Sequence, residues 1–202
     1  MKRINLIIWI LCTLLSVMVA VHSFRYFGSV EISPLIGSNA YFSPWLYVHA
    51  GGAATALLFG AFQFIAALRR RRGVHRWLGR VYAAGCVSGG VAGLILAFGT
   101  AAGPIAAWGF GLLAVTWLYT TVRAWIAARA TRFDEHRQWM TRSFALTFAA
   151  VTLRLYMALL PVMGVSLLAG YRAIAWLAWV PNLVVAEWYL RLQRGAERRT
   201  AA

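Results

Sequence analysis

Apolar runs long enough to cross a bilayer's hydrocarbon core recur along this chain, and that recurrence constrains its fold more than any other feature. A spanning helix needs about 20 apolar residues at 1.5 Å of rise each. Such runs fall at roughly 4–22, 45–68, 77–100, 105–127, 141–161 and 171–192. The expected fold is therefore all-α: a polytopic membrane bundle of about six transmembrane helices, forming a single integral membrane domain over 1–202. With 61% hydrophobic and 12% charged residues, the chain lacks the polar surface of a soluble domain. The first run follows Lys2 and Arg3, as a signal peptide would. It is longer than a usual signal core and no clean A-x-A site follows, so a retained helix is expected. The segment 23–44, with Pro34, Gly37 and Pro44, reads as a loop or short interfacial helix capping the bundle.

The formal charge of +15 does not indicate nucleic acid, because the basic residues cluster between apolar runs instead of forming a face on a polar domain. They read as topology signals. One side receives Lys2, Arg3, Arg69 to Arg72, Arg76, Arg80, Arg123, Arg129, Arg132, Arg137, Arg142, Arg191, Arg194, Arg198 and Arg199. The other receives only Arg25 and Arg172. The positive-inside rule then places both termini in the cytoplasm. Arg-, Ala- and Gly-rich usage suggests a bacterial inner membrane on compositional grounds alone. Trp45, Trp77, Trp108 and Trp188 fall near span ends, as an aromatic belt requires.

Lipid gives no hydrophobic drive between helices, so close backbone approach has to hold them together. Gly85, Gly89 and Gly93 form one small-residue face, and Gly52, Ala56 and Gly60 form another. Both read as packing faces. Cys12 and Cys86 lie inside spans and read as small buried hydrophobes.

Ionisable groups at membrane depth are functional candidates by default. Arg154 lies roughly 10 Å below the end of the fifth span. Ser143 and Thr147 precede it at helical spacing, and Thr116, Thr120 and Arg123 form a matching stripe on the fourth span. Two stripes suggest a polar seam, read either as interhelical hydrogen bonding or as a site for an anion, a propionate or a quinone carbonyl. Glu187 is expected to pair with Arg191 one turn on, or with Arg80. Pro181 and Asn182 are expected to bend the sixth span.

The four histidines divide by side. His22 and His49 lie near the arginine-poor ends of the first two spans, with His49 on the inward face. His75 and His136 open the third and fifth spans in a repeated context: His75-Arg76-Trp77-Leu78-Gly79-Arg80, then His136-Arg137-Gln138-Trp139-Met140-Thr141-Arg142. The repeat suggests duplication of a two-helix unit. Imidazoles at each face are candidate axial ligands for b-type haem, with Arg154, Arg80 and Arg142 placed for the propionates. A transition-metal site is less suited, because clustered carboxylates and thiolates are missing from the sequence.

These segments, from His49-Ala50 through Gly60-Ala61-Phe62-Gln63-Phe64, Leu68-Arg69, His75-Arg76-x-x-Gly79-Arg80-Val81-Tyr82, His136-Arg137-x-Trp139-Met140-x-Arg142-Ser143 and Leu153-Arg154, resemble a family of predicted prokaryotic membrane proteins. That family is a domain of unknown function, number two thousand three hundred and six. The likeness covers roughly 45–160 and supports the topology without supplying an activity. A weaker likeness is to the six-helix dihaem cytochrome b proteins that pass electrons from ascorbate across membranes. It implies His49, His75 and His136 as haem ligands, although the fourth and fifth spans hold no buried histidine. Three functions follow from the residues. The leading one is a haem-b membrane redox protein exchanging electrons with quinone; if the chain is an enzyme, it is a membrane oxidoreductase. The others are a transporter or lipid-binding protein holding an anion in the polar seam, and a non-catalytic partner subunit. No nucleophile motif, phosphate loop or metalloprotease signature is present in the sequence.

Overall fold

A computed structural model describes the backbone of residues 2–28 and 32–201 and the side chains of 7–28 and 32–195. The side chains of Lys2, Arg3, Arg198 and Arg199, which carry part of the charge argument, lie outside these described residues. The helices are α1 (Lys2–Ser23), α2 (Pro34–Gly37), α3 (Phe42–Phe62), α4 (Ala66–Arg70), α5 (Arg72–Phe98) and α6 (Pro104–Arg129). They continue with α7 (Phe133–Thr147), α8 (Ala149–Leu159), α9 (Leu167–Leu177) and α10 (Val180–Ala201). Helices α7 with α8, and α9 with α10, form two broken spans, giving six membrane-crossing stretches among the described residues. No strand occurs among those residues. The chain is an all-helical membrane bundle, as its hydropathy requires.

Helix bounds depart from the apolar runs where polar turns extend them. The second span, expected to reach 68, ends at Phe62. Its C-cap Gln63 gives its N–H to Gly60, Ile65 is extended, and the next five residues form the short α4. The fifth begins at Phe133, because Asp134 and Glu135 suit the positive end of a helix dipole. Before it, Thr131 (φ 58) closes α6: Arg132 N–H reaches Ala127 O and Thr131 N–H reaches Ala128 O, a Schellman pattern. Pro181 has no N–H to give Leu177, and the sixth span breaks two residues before it. Asn182 Nδ2 bridges that break to Thr152 Oγ1 (2.8 Å) and Ala145 O (3.3 Å) on the fifth span.

Large apolar side chains cover the outside, as they must in lipid. Trp77 and Trp108 are more than half exposed near the starts of α5 and α6, and Trp188, equally exposed, lies part-way along α10. Inside, α3 and α5 make the most extensive contact. A Cβ at Gly52 would lie 2.6 Å from Gly89 N, and one at Gly85 would lie 2.8 Å from Gly52 O. Only glycine at these positions permits that approach, so the two small-residue faces do pack together. Cys86 is fully buried and Cys12 partly so.

A polar cavity at the arginine-poor end

The close α3–α5 contact has a second consequence. It brings the His49 ring against α5 over Gly93, where a Cβ would meet Nδ1 at 2.8 Å. His49 Nδ1 lies 2.8 Å from Gly89 O. A carbonyl only accepts, so Nδ1 carries the proton, and in the neutral ring Nε2 keeps a lone pair. No hydrogen bond to Nε2 occurs among the described residues.

That ring borders a cavity of about 550 Å³ between the ends of α1, α3, α5, α6, α8 and α9. Leu35, Ile36 and Asn39 roof it. Asn39 Nδ2 bonds Leu96 O (2.8 Å) and Ala40 N–H bonds Gly99 O (3.0 Å), tying the 32–41 segment to the end of α5. The walls are mainly apolar, including Leu46, Leu57, Leu113, Leu153 and Met157. Tyr26, Thr100 and Tyr171 add hydroxyls near the mouth, and Trp117 and Thr147 form the deep floor.

Arg154, half-buried, projects into this space from α8. Nη1 donates to Ala150 O and Nη2 to Ser23 Oγ, each at 2.8 Å, and Ser23 Oγ donates to Val19 O. Among the described residues no carboxylate pairs with Arg154. The described acids Glu135 and Glu187 bind arginines at the other end of the bundle. A guanidinium has five N–H donors, so Arg154 retains donors for a ligand.

The structure brings together only part of the candidate set. His49, His22 and Arg154 all line the cavity. His22 Nε2, however, accepts from Arg25 Nη1 (3.0 Å) on an exposed turn. His75 and His136 lie at the arginine-rich end, away from this space. His136 Nδ1 donates to Ala124 O (2.9 Å), and His75 Nδ1 is buried with no partner among the described residues. Arg80 is exposed. Arg142 grips Glu187 across α7 and α10, with Nη2 to Oε2 at 3.1 Å, and stacks on Trp139. Glu187 therefore pairs with Arg142 and not with Arg191 or Arg80, because the rotation of α10 turns it toward α7. Arg123 binds Glu135 (3.0 Å) and also lies over the Trp139 ring, so it leaves the seam proposed for Thr116, Thr120 and Arg123.

A polar seam does exist, with a composition that sequence reasoning missed. Tyr82 OH reaches Ser143 Oγ (2.6 Å) and Thr147 Oγ1 (3.0 Å). Thr121 Oγ1 reaches Ser143 Oγ (2.7 Å), and Trp117 Nε1 donates to Thr147 (2.8 Å). Ser143 and Thr147 were expected there; Tyr82, Trp117 and Thr121 were not. Among the described residues no three His, Cys, Asp or Glu side chains gather as a metal site.

Against known proteins, residues 46–190 match the family described as "Predicted membrane protein (DUF2306)". No curated protein and no solved structure matches the chain.

Proposed function

The chain belongs to the DUF2306 family of predicted membrane proteins, and on that premise we propose that it binds an anionic amphiphile in the cavity at its arginine-poor end. The observation that carries this reading is Arg154, a guanidinium at membrane depth with spare donors and no carboxylate among the described residues. A half-buried cation with no carboxylate partner among the described residues favours an anion that reaches it. A cavity of about 550 Å³ is of small-molecule size. Its apolar walls suit a chain, and its mouth suits a charged head. Such a site serves a lipid or small-molecule carrier in a multi-pass membrane protein. The arginine distribution supports a bacterial inner membrane with both termini cytoplasmic.

Decanesulfonate, whose head stays anionic at all working pH values, is the probe for this reading. Titrated calorimetrically into the protein in mild detergent, it binds wild type with one site and binds Arg154→Gln at least tenfold more weakly. Equal affinity for both proteins would sink the reading.

One observation favours a second reading. His49 gives its Nδ1 proton to a backbone carbonyl, as metal-bound histidines do, and leaves Nε2 free toward the cavity. His49 would hold haem b there through Nε2 and Arg154 would pair with a propionate, whereas His22, its Nε2 taken by Arg25, would not take part. Haem, when bound, supplies one-electron chemistry, and a quinone would be its natural membrane partner. Protein expressed with haem precursor and reduced by dithionite would show a sharp α-band lost in His49→Ala. A colourless folded protein rules this second reading out.

A further inference from the structure

The polar atoms that line the cavity divide into those already spent and those still open. Ser23 Oγ accepts from Arg154 and donates to Val19 O. Thr147 Oγ1, on the floor, accepts from Trp117 Nε1 and donates to Ser143 O. Asn39 Oδ1 accepts from Tyr41 N–H (2.9 Å), and its Nδ2 donates to Leu96 O. His22 Nε2 accepts from Arg25. Two of the five N–H donors of Arg154 are used, at Ala150 O and Ser23 Oγ, and the rest are open. The hydroxyls of Tyr26, Thr100 and Tyr171 can each turn a proton toward a ligand.

His49 differs from all of these. With its Nδ1–H held by Gly89 O, the neutral ring presents Nε2 as an acceptor that cannot become a donor. A Cβ at Gly93 would meet Nδ1 at 2.8 Å, Cε1 at 3.1 Å and Cγ at 3.9 Å, and Nε2 lies farther off than these. The close α3–α5 contact thus fixes the ring by its Nδ1 edge. It leaves Nε2 turned from α5 toward the cavity that His49 and Arg154 line together. Among the described residues, Nε2 is the one open side-chain atom of the lining that needs a proton from a ligand instead of supplying one.

We infer that the cavity selects an amphiphile whose head is a phosphate monoester, its charge held by Arg154 and its remaining proton shared with His49 Nε2. The inference deepens the reading of Arg154 as the anion anchor and rests on it. A phosphate monoester offers both features near neutral pH, since its second pKa is about 6. A sulfonate or a phosphodiester carries charge with no proton. Such a head faces the Nε2 lone pair or, if the ring takes a proton from water, leaves one positive charge of the site uncancelled. The monoester avoids both outcomes. Whichever of the phosphate oxygen and Nε2 holds the shared proton, head, imidazole and guanidinium are neutral together. The walls at Leu46, Leu57, Leu113 and Leu153 take the chain.

The test is calorimetric titration of the purified full-length protein in mild detergent at about pH 7, where an ordinary imidazole is mostly neutral. The ligands are decyl phosphate and decyl methyl phosphate, which differ by a methyl group in place of the proton. Wild type binds the monoester about tenfold more tightly, the worth of one hydrogen bond to a charged group. His49→Phe, or His49→Leu if the first folds poorly, loses that preference because the monoester falls to the affinity of the diester. Arg154→Gln weakens both esters by roughly tenfold or more and leaves their ratio in place. Methyl phosphate, the same head without the chain, binds wild type at least about a hundredfold more weakly than decyl phosphate, which separates a lipid from a free phosphate compound. No preference for the monoester in wild type, a preference that survives loss of the imidazole, or methyl phosphate bound as tightly as decyl phosphate would overturn the inference while leaving the anion site standing. Arg154→Gln binding both esters as wild type does would overturn the anion site itself, and the inference with it.

Discussion

Replacing Gly89 by alanine perturbs the packing contact and the His49 position together, and its cost follows from the geometry. The new Cβ would lie 2.8 Å from Ala53 N and 3.1 Å from Gly52 C. Both are backbone atoms, so no rotamer change relieves the overlap. Restoring ordinary contact requires α3 and α5 to separate by about 0.5–1 Å, an overpacking cost of about 1–3 kcal/mol. The same displacement stretches the 2.8 Å bond between His49 Nδ1 and Gly89 O beyond useful length, adding about 0.5–1.5 kcal/mol. The sum is roughly 1.5–4.5 kcal/mol, a large change where packing is the main force between helices. Reversible unfolding in mixed micelles measures it. Gly73→Ala is the internal control. Gly73 lies in the first turn of α5 with nothing within 4 Å of an added Cβ, so alanine there is neutral or stabilising by up to about 1 kcal/mol. Gly89→Ala within about 0.5 kcal/mol of wild type would refute the account of the α3–α5 interface.

Other substitutions follow from the same contacts. Glu187→Gln weakens the α7–α10 clamp by about 1 kcal/mol in low salt, whereas Arg191→Gln leaves stability unchanged, because Arg142 is the partner; thermal unfolding of the two variants separates them. Asn182→Leu removes the side-chain bridge across two helix breaks and lowers stability by about 1–2 kcal/mol, read by the same unfolding assay. Tyr82→Phe costs about 1 kcal/mol, since Ser143 and Thr147 keep other partners, and the same unfolding assay reads it.

The spans and the glycine faces are legible in the sequence because each depends on composition or on period along one helix. Arg154 and the inward face of His49 are legible for the same reason: depth and helical phase are local properties. The polar floor is not. Tyr82 and Trp117 sit inside apolar runs as aromatic residues, and only the rotation of α5 and α6 points their polar atoms at Ser143 and Thr147. The partner of Glu187 is equally hidden, since local spacing favours Arg191 and packing against α7 selects Arg142. The end of α3 at Phe62 depends on a backbone turn at Gln63 that interrupts an apolar run without changing its hydropathy.

The central claim is that Arg154 makes the cavity a receptor for anionic amphiphiles. Native mass spectrometry of the detergent-purified protein with decanesulfonate, and with decyltrimethylammonium as a cation of matched chain, tests it most directly. The account predicts one bound sulfonate on wild type, none on Arg154→Gln, and no bound cation on either. Equal occupancy by the two amphiphiles, or a sulfonate that stays bound after Arg154→Gln, would contradict it.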